Sequence, residues 1–122
     1  MTLAKRILIC DDEAPMRELV RVVLDDGYEF GEAADGVECV ELARRSRPDL
    51  LVLDLMLPGK GGLEVLAELR SDRALARSPV VVVSAWNHLE REAVAAGADR
   101  FLAKPFEPSD LRAAVAELLG AG

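Results

Sequence analysis

The 122-residue sequence predicts an α/β fold in which parallel strands alternate with helices. Three observations lead there. Short apolar runs alternate with longer segments whose apolar residues recur at helical spacing, five of each along the chain. The run Val80-Val81-Val82-Val83 is apolar on both faces, as a sheet covered by helices on both sides requires. Four of the five runs also hand over, at the same end, to a polar and chemically competent residue. Right-handed crossovers leave few topologies for such a chain.

Taken in order, Ile7 to Cys10 reads as a buried strand. After Pro15, which a first helical turn tolerates, Met16, Leu19, Val20, Val23 and Leu24 recur at i, i+3, i+4, i+7 and i+8. Gly27 fits the C-cap of that helix. Tyr28 to Ala33 is a weaker strand, interrupted by Gly31. Asp35 can cap a second helix, whose Val40 and Ala43 share a face and which Pro48 stops. Asp49 to Leu53 gives the third strand, and the loop Pro58-Gly59-Lys60-Gly61-Gly62 leads to a helix carrying Leu63, Leu66 and Leu69. A polar loop through Ser78 and Pro79 reaches the Val80–Val83 strand, and a short alanine-rich helix then ends near Gly97. Phe101-Leu102-Ala103 is the last strand, and Leu111, Ala114, Val115 and Leu118 stripe the final helix after Pro108. No repeat, low-complexity tract or interior linker interrupts this pattern, so residues 1–122 read as one domain.

Charge and composition narrow the function. With 15 basic and 22 acidic residues the net charge is −7, which argues against gripping nucleic acid or anionic lipid, since neutralising phosphates needs a basic face. No apolar string approaches the ~20 residues of a membrane span. The run after Lys5 and Arg6 is too short for a signal core. One histidine, His88, reads as an exposed polar residue at a helix start, and the absence of a Cys/His cluster sets aside zinc and histidine-centred catalysis. Cys10 and Cys39 have neither metal-like spacing nor the makings of a secreted disulfide framework. Cys10 reads as a small buried hydrophobe, and a reducing cytosol is the expected compartment.

The chemistry therefore falls to the carboxylates. The first strand ends at Asp11-Asp12, the third at Asp54, the fourth at Ser84 and the fifth at Lys104. In open α/β sheets ligands bind outside the carboxyl ends of the strands. With the first and third strands as neighbours, three carboxylates converge there and need a counterion. Mg²⁺ suits them, because it takes oxygen ligands and commonly shares them with a phosphate. The Lys104 ammonium and Ser84 hydroxyl face the same point, completing a site for a phosphoryl group, and a carboxylate can itself be the nucleophile.

The order, spacing and strand-end placement of these residues resemble the response-regulator receiver domain of two-component signalling. The matching features are Asp11-Asp12, then Asp54 within Leu53-Asp54-Leu55-Met56-Leu57-Pro58, with Gly62 eight positions on. To these are added Ser84-Ala85 and Lys104-Pro105, with Phe101 three residues before the lysine. The resemblance covers essentially all 122 residues. It implies the flavodoxin-like (βα)5 three-layer sandwich of the chemotaxis regulators, with a five-stranded parallel sheet in the order 2-1-3-4-5.

The same resemblance implies a phosphorylation-dependent switch, not a metabolic enzyme. Asp54 would accept a phosphoryl group from a sensor histidine kinase or a phosphotransfer protein. Asp12, Asp54 and the Met56 backbone carbonyl would coordinate Mg²⁺, with Asp11 acting through water. Lys104 would pair with one phosphoryl oxygen and Ser84 with another, and Phe101 would turn inward as the Ser84 hydroxyl moves. A cis Lys104–Pro105 peptide, a cytoplasmic location and a signalling surface on the fourth helix, fifth strand and fifth helix are also implied. Met56 and Trp86, two residues beyond Asp54 and Ser84, occupy positions that tune the phosphoryl lifetime in receivers; two bulky apolar groups there would restrict water. Arg17 and Arg21, on the outer side of the first helix, make that helix a candidate kinase-docking face.

Two rival readings remain open on the residues. A Mg²⁺-dependent aspartyl-phosphate phosphatase would place a second acid where Met56 stands, and methionine has no proton to give. A receiver-like module that takes no phosphate would not need all five site residues. The sequence stops just after the last helix, so the expected recipient of the signal is a downstream protein or a severed output domain, with no nucleic acid or membrane contacted directly. Ala113-Ala114 in the last helix and Arg100 beside Asp99 argue against the dimer typical of winged-helix regulators.

Overall fold

The structure is a computed structural model that describes residues 4–25 and 27–120. The elements run β1 (Arg6–Cys10), α1 (Ala14–Val23), β2 (Glu29–Ala33), α2 (Gly36–Ser46), β3 (Leu50–Asp54), α3 (Gly62–Ser71), β4 (Val80–Ser84), α4 (Glu90–Ala95), β5 (Arg100–Ala103) and α5 (Pro108–Leu119). A single 3-10 turn, Asn87–Leu89, leads into α4. The strands form one parallel sheet in the order β2-β1-β3-β4-β5, the order implied by the resemblance.

Strand periodicity builds the two faces. Leu8, Leu51, Leu53, Val80 and Val82 point to one side, where they pack with Val40, Leu66 and Leu69 of α2 and α3. Ile7, Ile9, Leu50, Val52, Val81 and Val83 point to the other, against Val20 of α1 and Leu111 and Val115 of α5. All five residues of β3 and of β4 are buried, so each large side chain there contributes about 1.5–3 kcal/mol of burial. Register then aligns the strand ends. Cys10 lies beside Leu53, Asp54 beside Val83, and Ser84 beside Ala103. The residues after β1 and β5 thus meet those ending β3 and β4.

Local structure matches the expected starts and stops with three corrections. Asp35 caps α2, its carboxylate accepting from the Glu38 amide at 2.8 Å, and the Glu38 carboxylate accepts from the Ala34 amide at 2.8 Å. The first correction is Gly27: α1 closes at Leu24, and Gly27 adopts its positive φ of 86° three residues further on. The second is one residue of the apolar stripe of α1, whose Met16, Val20, Val23 and Leu24 face the core as expected. Leu19 is 44% exposed, and Arg17 lies half-buried at the margin of the inward face with Met16, Val20 and Leu24. The third concerns the cysteines: Cys10 is buried in the core as expected, but its sulfur also pairs with that of Cys39 on α2, with Cα atoms 6.0 Å apart. Among the described residues, no helix is long and apolar enough to cross a membrane.

Candidate functional site

The carboxyl ends of β1, β3, β4 and β5 enclose an acidic cleft. Asp11 continues β1, its amide donating to the Ala33 carbonyl at 3.0 Å, and its side chain is 2% exposed. One carboxylate oxygen accepts from the Glu13 amide at 2.9 Å, the other from the Lys104 ammonium at 3.1 Å. Asp54 ends β3 in the same manner. Its Oδ1 accepts from the Met56 amide at 2.9 Å and its Oδ2 from Lys104 Nζ at 2.9 Å. In both, an aspartate bonds the amide two residues on, a turn that this side chain forms readily and that fixes the carboxylate at the strand's end. Asp12 is exposed, and one carboxylate oxygen from each of the three aspartates falls within 4.8 Å of the others.

The lysine reaches this cleft from the edge of the sheet. Its amide donates to the Ser84 carbonyl at 2.9 Å, extending the β4–β5 pairing, and the Lys104–Pro105 peptide is cis. Ser84 is fully buried at the end of β4, and its Oγ accepts from the Trp86 amide at 3.0 Å. Phe101 is half-buried and packs on the α2–α3 side of the core. Met56 and Trp86 are the exposed apolar residues flanking the strand ends, at 42% and 44%. His88 is exposed, as expected, with its ring 6.1 Å from that of Trp86.

Burial pushes the Asp11 carboxyl above its ordinary pKa, a rise that the Glu13 amide and the Lys104 ammonium reduce without cancelling. Burial also disfavours the Lys104 ammonium, but its hydrogen bonds to Asp54 and Asp11 outweigh that and hold its pKa above the ordinary value. Three carboxylates against one ammonium leave a formal −2 in the cleft. All the candidate ligand atoms are carboxylate oxygens, so the set fits a hard divalent cation better than a soft, thiolate-seeking metal.

Arg17 is the residue that sequence reasoning misplaced. It does not face outward with Arg21: its Nη1 donates to the Asp11 carbonyl at 2.7 Å and its Nε to Glu32 Oε1 at 2.8 Å. Arg21, half-exposed, bonds the other Glu32 oxygen at 2.9 Å. The available signal was the acidic Glu32 in an otherwise weak strand, which needs a cationic partner from the neighbouring helix.

Fold and cleft together define an open parallel α/β domain with an acidic, lysine-bridged site at its strand ends. Residues 7–116 match the family model of the response regulator receiver domain, and the chain belongs to that family. It is 41% identical over 115 residues to the transcriptional regulatory protein PdtaR of Mycobacterium tuberculosis, covering 91% of this chain and 55% of the relative. The chain therefore spans about half the length of the curated relatives it matches. Among solved structures, a putative response regulator from Chloroflexus aurantiacus superposes with a TM-score of 0.92 at 31% identity, covering 97% of this chain and 99% of that one. The receiver domain of the sensor histidine kinase PA1611 from Pseudomonas aeruginosa, with a magnesium ion coordinated in its active-site cleft, superposes with a TM-score of 0.88 at 26% identity, covering 98% and 100%.

Proposed function

We propose that this chain is a phosphorylation-controlled switch in which Asp54 accepts a phosphoryl group from a phosphohistidine on a partner kinase or phosphotransfer protein. The observation that carries this reading is the placement of Asp54, buried at a strand end with Lys104 on one oxygen and two further acids within reach. A carboxylate oxygen attacks phosphorus, the P–N bond breaks, and the histidine nitrogen keeps the electron pair. Asp12, Asp54 and the Met56 backbone carbonyl, with Asp11 through water, would hold Mg²⁺, which when bound supplies charge neutralisation at the phosphoryl oxygens. Lys104 exchanges its bond to Asp54 for one to a phosphoryl oxygen. The Ser84 hydroxyl turns to another, and Phe101 follows it inward.

Met56 and Trp86, exposed beside the strand ends, would slow the entry of water, so that the acyl phosphate is comparatively long-lived. Small polar replacements at both positions should shorten that life, and an unchanged hydrolysis rate would overturn their role. The changed surface of α4, β5 and α5 is read by a downstream protein or by an output domain of a longer regulator. The exposed Leu19, Arg21 and Val22 of α1 support kinase docking on that helix. The domain is a phosphoacceptor and not a turnover enzyme, and it works in the cytoplasm, where its phosphodonor is.

The single tryptophan makes the test direct. With Mg²⁺ and acetyl phosphate, intact mass should rise by one phosphoryl group per chain as Trp86 fluorescence changes, and Asp54→Asn should abolish both. Consumption of many ester equivalents would favour a phosphatase instead. No adduct under any condition would favour a module that takes no phosphate.

A further inference from the structure

We infer that Arg17 is a positioning residue that sets the acidic β1–α1 loop for cation binding. This rests on the metal-binding part of the reading above and adds a residue to it. The loop from Asp11 to Glu13 carries two of the three clustered carboxylates. The helix it feeds has no side-chain cap: Glu13 stands at the N-cap position and makes no such bond. Arg17, from inside α1, reaches back to the Asp11 carbonyl at 2.7 Å. Its own orientation is set from β2, where Glu32 takes its Nε at 2.8 Å, and its side chain is only 17% exposed. One guanidinium thus ties the end of β1 to the first turns of α1 and to β2.

Asp11 has other restraints, through the Ala33 carbonyl, the Glu13 amide and Lys104. Asp12 is exposed, and on this inference the direction of its carboxylate follows from the Asp11–Asp12 peptide, whose carbonyl Arg17 holds. The arginine also carries a positive charge beside an acidic cleft, which by itself opposes a cation. Charge and positioning therefore predict opposite signs: removing Arg17 should tighten Mg²⁺ binding if only its charge matters, and weaken it if it orients the loop.

The test is calorimetric titration of the unphosphorylated chain with Mg²⁺, checked by Trp86 fluorescence. Arg17→Ala should weaken Mg²⁺ binding roughly 10-fold or more, as loss of a residue that orients metal ligands commonly does. Arg17→Lys, which keeps the charge but cannot reach both partners, should fall between. Val115→Ala, a core truncation in α5, should lower thermal stability without moving the affinity. Hydrogen exchange at the Glu13 amide should quicken in Arg17→Ala, and Arg17→Gln supplies the same readouts if the alanine variant does not fold. Affinity equal to or tighter than that of the unaltered chain overturns the inference while leaving the metal site intact. An unaltered chain that binds no Mg²⁺ overturns the metal reading and the inference together.

Discussion

β3 lies between β1 and β4 with every residue buried, whereas β5 lies at the sheet's edge with Arg100 and Ala103 exposed and Phe101 and Leu102 only half-buried. Both strands deliver a residue to the same cleft: Asp54 from the first, Lys104 just beyond the second. The carboxylate proposed to receive a phosphoryl group thus comes from a strand buried along its whole length. The lysine and the aromatic that shift in the proposed switch come instead from a strand with one free side. In the proposed switch, positioning and movement are separated by place in the sheet.

The difference should be largest in the core. Leu53→Ala, fully buried in β3, should cost about 3–4 kcal/mol, while Leu102→Ala in β5 should cost roughly 1 kcal/mol, both read from urea denaturation. Equal costs would break the comparison.

Next in size is the tie between the two strands. Lys104→Met leaves two buried carboxylates without their ammonium and should cost roughly 2 kcal/mol, with recovery on adding Mg²⁺. The same tie has a pH signature. Because Lys104 is held above its ordinary pKa in the folded chain, its contribution is complete below the unfolded value. It is lost as pH rises through the folded value, in the alkaline range above about 10.4. Alkaline urea titrations should show that loss in the unaltered chain and not in Lys104→Met. The smallest effect belongs to the outer rim, where Arg100→Ala removes an exposed 3.1 Å pair with Glu117 and should change stability by about 0.5 kcal/mol or less.

How much of this was legible depended on whether a feature is local. The alternation of strands and helices, the Asp35 cap and the strand-end acids follow from patterns within a few residues, and the structure agrees with them. In the stripe of α1 only Leu19 did not read true, because periodicity fixes a helix face only to within one residue's angular step. An arginine stem can also lie across apolar surface while its head finds a carbonyl and a carboxylate, as Arg17 does. The Cys10–Cys39 pairing depends on how α2 approaches β1, which a separation of 29 residues does not reveal. At the site, residue types and order were readable. That both Asp54 oxygens are engaged, by Lys104 and the Met56 amide, follows only from the folded arrangement of strand ends distant in the chain.

The glycines after Asp54 divide the loop into closed and open ground. At Gly36, whose helix start abuts this loop, an added Cβ would lie 1.8 Å from the Lys60 carbonyl oxygen, and at Gly62 it would lie 2.5 Å from the Leu55 Cα. At Gly61 it would meet nothing within 4 Å, on an ordinary extended backbone with φ −68° and ψ 161°. Position 61 is therefore a natural mounting point for a reporter group. A dye or spin label attached there would sit in the loop leading from Asp54 to α3, its Cβ clear of every neighbour.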